Sequence, residues 1–233
     1  MTNLKVETSR QFYARLAGFT FLFYIAAGLT VLFLMNRATD AEGTNAILLR
    51  IAGHSSDVRI AILLELGESF SALVLAVTLY GITRDVNHEF AMMGLVCRVC
   101  EGLLGVVGLR NTLGLLWLAK SRAGAGGPAT ADVLGDFLLM PTQSAMTGAI
   151  FFAVGSMIFS YLMLRGRIVP VWLAWIGLIA SVLLVLGLPL QIIGLLTGTI
   201  TGYIWLPMVA FEIPVGLWLL IKGVPTRSQI QPA

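Results

Sequence analysis

Residues 59–82, RIAILLELGESFSALVLAVTLYGI, decide the fold. The run exceeds the ~20 residues an α-helix needs to cross a hydrocarbon core of ~30 Å. Lipid offers no hydrogen bonds to a bare backbone, so a run of this kind crosses as a helix. It nevertheless carries Glu65 and Glu68, three residues apart and so on one helix face. Comparable apolar runs recur at about 12–35, 89–119, 143–165, 169–196 and 202–222. The whole chain is 58% hydrophobic and 12% charged, with mean hydropathy +0.90, values that exclude an ordinary soluble domain. The expected fold is all-α: a polytopic transmembrane bundle of six spanning helices, forming a single domain over residues 1–233. The first run begins too late and extends too far for a secretory leader, so it is kept as a span and the mature chain is expected to begin near Met1.

Lys and Arg at the span ends set the expected orientation. Lys5, Arg10, Arg15, Arg84, Arg165, Arg167, Lys222 and Arg227 fall on one side. Arg37, Arg50, Lys120 and Arg122 fall on the other, spread over longer loops, with Arg59 and Arg110 near that boundary. The positive-inside rule puts both termini in the cytoplasm of a multi-pass protein of the cell membrane. Two outward loops carry apolar residues at helical spacing: Ile47, Leu48 and Ile51 in residues 44–54, and Val133, Leu134, Phe137 and Leu138 in residues 130–140. Each predicts a short interfacial helix, either a lid over an outward cavity or a rim element with no further role. Gly124, Gly126 and Gly127 mark the stretch 121–128 as flexible, and Pro141 is expected to end the second interfacial helix.

Four glutamates, Glu65, Glu68, Glu101 and Glu212, lie inside the apolar runs. A charge at membrane depth costs at least ~2.5 kcal/mol, so such residues face the bundle interior and mark function by default. From the 1.5 Å rise per residue, Arg98 lies ~12 Å, Glu212 ~15 Å, Glu101 ~16 Å, Glu68 ~21 Å and Glu65 ~25 Å from the cytoplasmic boundary. Glu101 and Glu212 therefore share a level, and Arg98 is on the face of Glu101. His54, Arg59, Arg110 and Asn111 are expected at an outer rim, with Gln191 at similar height. Together these residues form a polar column from mid-membrane outward. Its carboxylates outnumber its one deep cation, Arg98, so the balance calls for a proton or a bound cation unless the groups only tie helices together.

Other chemistry is weaker. Glu65, Glu68, Glu101, Glu212 and His54 offer ligands for a hard metal ion, but the Glu-x-x-His pairs of di-iron bundles are missing and no metal site is assigned. Cys97-x-x-Cys100 sits in an apolar helix and reads as packing, with a quinone-linked thiol enzyme as the alternative. Gly102, Gly105, Gly108, Gly148 and Gly155 suit close helix approach. Pro207 and Pro214 bracket Glu212, and Pro214 leaves the carbonyl of Ala210 without a helical donor. Pro189 interrupts the fifth span in the same way.

Several segments together resemble a known family. Arg15-Leu-Ala-Gly18, Leu79-Tyr80 with Asp85-Val-Asn87, Arg98, and Glu212 followed by Leu217-Trp-Leu-Leu-Ile-Lys-Gly223 resemble a bacterial six-helix integral membrane family known as domain of unknown function 4386. The resemblance covers nearly the whole chain and implies the six-helix fold, but no activity. The cysteine pair lies outside the pattern. Three readings stay open: a binder or carrier of a small amphiphilic or ionic ligand through Glu65, Glu68, Arg98, Glu101 and Glu212; an intramembrane enzyme using a buried carboxylate as general acid or base; and a structural or regulatory protein. Against a carrier, no internal repeat is visible. The first reading is preferred, with no catalytic residue and no cofactor assigned. Expected partners are the lipid bilayer and that ligand; nucleic acid is not expected, and an oligomer stays open.

Overall fold

A computed structural model describes residues 2–121, 128–139, 143–198 and 200–225. Among these there is no strand, and the helices in chain order are α1 Thr2–Thr39, α2 Thr44–Gly53, α3 Ser55–Thr83, α4 His88–Lys120, α5 Pro128–Leu139, α6 Gln143–Arg165, α7 Val171–Ile192, α8 Ile200–Tyr203 and α9 Leu206–Ile221. Six helical stretches are long and apolar enough to cross a membrane, the last being α8 and α9 taken together. The chain is thus a multi-pass membrane helix bundle.

The spanning helices close into a ring. α1 packs on α3, α3 on α4, α4 on α6, α6 on α7, α7 on α9, and α9 returns to α1. Small residues set the closest crossings: a Cβ on Gly18 of α1 would stand 2.6 Å from the carbonyl oxygen of Gly216 on α9, so only a bare backbone fits there. At the foot of α4, the Asn87 side chain accepts a hydrogen bond from the Phe90 amide at 2.9 Å, an N-cap that lets α3 turn back within four residues. The start of α1 and the segment after α9 lie on the same face, joined where Gln11 donates to the carbonyl of Val224 and accepts from its amide.

Two apolar cores leave a gap between them. The larger joins Ala17, Phe21, Leu79, Phe159, Leu173 and Phe211 with their neighbours, filling the terminal half of the ring and the side formed by α6, α7 and α9. The smaller gathers Ala38, Leu48, Ile51, Val58, Leu118 and Ala131 at the opposite face. There α2 and α5 pack on each other and on α4, and the Thr44 hydroxyl donates to the Asp136 carboxylate. These are the two short helices expected in the outward loops. The proposed stop at Pro141 and most of the stretch 121–128 lie outside the described residues.

The span limits differ from expectation in three places. α1 runs on to Thr39, past the apolar residues, because Arg37 and Ala38 are strong helix formers and Ala38 packs into the smaller core. α7 starts at Val171 and stops at Ile192, short of residue 196; Pro189 withdraws a helical donor, and Gly194 then adopts φ 76°, which a Cβ would oppose. The sixth span is not one helix. Pro207 cannot donate to the carbonyl of Tyr203, so the helix breaks at residues 204–205 and restarts at Leu206 with the proline in its first turn.

Candidate functional site

The gap between the two cores is a cavity of about 590 Å³ walled by α1, α3, α4, α6 and α9, with Leu138 of α5 above it. Glu65, Glu68, Glu101 and Glu212 all line it. From the Gly18–Gly216 crossing Tyr24 lies six residues along α1 and Glu212 four residues back along α9, about 9 and 6 Å, and Tyr24 lines the cavity as well.

Arg98 and Glu101 form the floor. Arg98 is fully buried, and its Nη1 donates to Glu101 Oε2 at 2.8 Å across one turn of α4. The other carboxylate oxygen, Oε1, accepts from the Tyr24 hydroxyl at 3.0 Å. The guanidinium lies 4.9 Å from the centroid of the Phe152 ring and 5.9 Å from that of Tyr24, with those two rings stacked within 4° of parallel. Arg98 thus already engages both of these rings as a cation. Arg98 does not line the cavity; it braces Glu101 from behind, with its aliphatic stem against Gly155 of α6.

Around this floor the carboxylates differ in how well they are satisfied. Glu65 accepts from the Thr112 hydroxyl at 3.1 Å. Glu68 lies against the backbone of α1, where a Cβ on Gly28 would come within 2.6 Å of its Oε1, and no described side chain donates to it. Glu212 is buried, and its Oε1 has no hydrogen-bond partner among the described residues. Arg98 Nε and Nη2 are likewise unpartnered. A buried acceptor without a donor costs about 1–3 kcal/mol, more when charged, and so marks a place where a further donor is wanted.

The residues expected at the outer rim do not share one face. Of its residues only Asn111 lines the cavity. Arg110 follows Glu101 by nine residues, about 900° of helix, which is half a turn away and faces outward; it is exposed, as is Arg59. His54 stands at the α2–α3 junction, its Nδ1 3.1 Å from the carbonyl oxygen of Arg50. Gln191 also lies off the cavity wall. Conversely, Thr112 comes eleven residues after Glu101, about three full turns, and so returns to the same face. That spacing was the available signal for it. For Tyr24 the signal was a phenol at membrane depth, which needs a partner.

Gly102, Gly105, Gly148 and Gly155 serve close packing, as their spacing suggested, but Gly108 meets nothing within 4 Å and instead borders the cavity. Cys97 and Cys100 are free thiols, and Cys97 packs against Gly155. Among the described residues no three His, Cys, Asp or Glu side chains converge on a metal-sized site.

The family whose pattern fits the chain is described as Domain of unknown function (DUF4386), matched over residues 16–223. The chain belongs to that family. No curated protein and no solved structure matches it. The DUF4386 match takes in most of the first span, the other five and all four cavity glutamates, yet its description assigns no activity. Function must therefore be argued from the cavity.

Proposed function

We propose that the protein binds, or carries, a small amphiphilic or ionic molecule in the cavity between α1, α3, α4 and α9. The face bearing α2 and α5 is taken as the outer side, with both termini in the cytoplasm, as the basic residues at the span ends argue. The observation that carries the proposal is the unpartnered Oε1 of Glu212 on a cavity whose volume suits a small ligand. The charges support it too: four carboxylates line the cavity, and the Arg98 guanidinium behind its floor is already paired with Glu101. Glu101, with both oxygens engaged by Arg98 and Tyr24, serves as a rigid floor that ties α4 to α1. The residues left for a ligand are Glu68 and Glu212, flanked by Glu65 and Asn111.

Mass spectrometry of small molecules retained by the protein purified from native membranes tests this reading. A species should accompany the wild type and be depleted from the Glu68→Gln/Glu212→Gln variant, which keeps the shape of both side chains. Identical small-molecule content in the two proteins would contradict it.

A further inference from the structure

The cavity wall is incomplete on one side. α1 continues fifteen residues, about 22 Å, beyond Tyr24, whereas α9 reaches only six residues, about 9 Å, beyond Glu212, and the short α8 that continues the span forms no extended contact with α1. Above that point α1 has no α9 to pack on. The residues at this edge are Leu29 and Leu32, which line the cavity and are nevertheless 54% and 57% exposed. Trp205 and Val209 form the other edge. Leu32 lies one turn below Asn36, where the apolar part of α1 ends, so the opening faces the hydrocarbon of the leaflet on the α2 and α5 side rather than bulk water.

Resting on the binding role proposed above, the geometry points to a ligand class and a route: a protonated alkylamine that enters from that leaflet between α1 and α9. Its ammonium group would donate to Glu212 and Glu68, and its chain would trail past Leu29 and Leu32. Three observations select this chemistry. The cavity holds three carboxylates beyond the one neutralised by Arg98, which repels an anionic head and attracts a cation. The orphan at Glu212 is an acceptor, which a ligand head can satisfy if it carries N–H or O–H. A quaternary ammonium lacks that donor and would depend on aromatic faces, of which Arg98 already engages Phe152 and Tyr24, leaving it the ring of Trp205 at the open edge, away from the carboxylates. The open edge is apolar, as a hydrocarbon tail requires.

The test uses the full chain in lipid nanodiscs, titrated with dodecylamine, dodecyltrimethylammonium, dodecanol and dodecanoate, with empty nanodiscs correcting for partition into lipid. Saturable binding of dodecylamine is expected, with dodecyltrimethylammonium and dodecanoate at least about tenfold weaker because each loses a charge-assisted hydrogen bond or meets repulsion. Glu212→Gln should weaken dodecylamine by a similar factor. Leu32→Trp, which narrows the opening without touching the carboxylates, should slow dodecylamine association and leave folding intact. Binding of dodecanol or dodecanoate as tight as that of dodecylamine would overturn the amine assignment and leave the cavity as a binding site. Saturable binding of none of the four would overturn both.

Discussion

Replacing Arg98 by Met removes one charge from the centre of the bundle and keeps most of the side chain's volume. The aliphatic stem of Arg98 packs on Gly155, a contact that methionine retains, so the substitution reads the guanidinium and not the packing. What it strands is Glu101, 7% exposed, which loses its 2.8 Å ion pair and keeps only the Tyr24 hydroxyl. Breaking a buried pair from one side costs about 3–5 kcal/mol, because the remaining charge is neither solvated nor compensated. Loss of the guanidinium from above Phe152 adds up to about 2 kcal/mol, offset by no longer desolvating that cation. A net loss of roughly 3–5 kcal/mol is expected for Arg98→Met. Removing both charges, in Arg98→Met/Glu101→Met, should recover most of it, since replacing a buried pair by apolar residues is often close to neutral. Equilibrium unfolding in mixed micelles, followed by circular dichroism at increasing mole fraction of denaturing detergent, gives both values and the coupling between the sites. A single variant within about 1 kcal/mol of wild type, or a double variant no better than the single, would refute the view that Arg98 exists to compensate Glu101.

Three further substitutions probe the cavity and the fold. Gly28→Ala should displace the Glu68 carboxylate, which a Cβ would meet at 2.6 Å, while costing the helix nothing because alanine is favoured there by about 1 kcal/mol; ligand binding should fall with stability unchanged or raised, as thermal unfolding beside a binding titration would show. Gly18→Ala meets the backbone of Gly216, which has no flexible end to move, and should destabilise the α1–α9 contact by roughly 1–3 kcal/mol, measured by the same unfolding assay. For orientation, Thr2→Cys on a background lacking Cys97 and Cys100 should resist an impermeant thiol reagent added outside intact cells and react once they are permeabilised.

The six crossings could be read from sequence because apolar length is a strong constraint in lipid, where every backbone group must be satisfied within its own helix. Their ends were less legible. α1 continues to Thr39 because helix propensity, not hydropathy, decides where a helix stops once it reaches the interface. The break before Leu206 was signalled by Pro207, yet the run was counted as one span because its composition stays apolar through the break. Glu65, Glu68, Glu101 and Glu212 were visible as charges in apolar surroundings, and they do share one cavity. Their uncharged partners were not, since Tyr24 and Thr112 carry no such contrast and acquire meaning only when another helix is set beside them. Arg59 and Arg110 were placed by height alone, and rotation about the helix axis turns both outward. The gap between α1 and α9 was likewise invisible, for it depends on where two helices distant in sequence end relative to each other.

The most direct test of a ligand-binding cavity is density inside it, in an experimental structure of the protein extracted from native membranes into nanodiscs without added ligand. The account predicts an elongated feature between α1 and α9 whose polar end lies within hydrogen-bonding distance, about 2.7–3.2 Å, of Glu212 or Glu68. A cavity closed by side chains, with Glu212 paired directly to Arg98 Nη2 and no feature between the helices, would contradict it and leave the glutamates as interhelical ties alone.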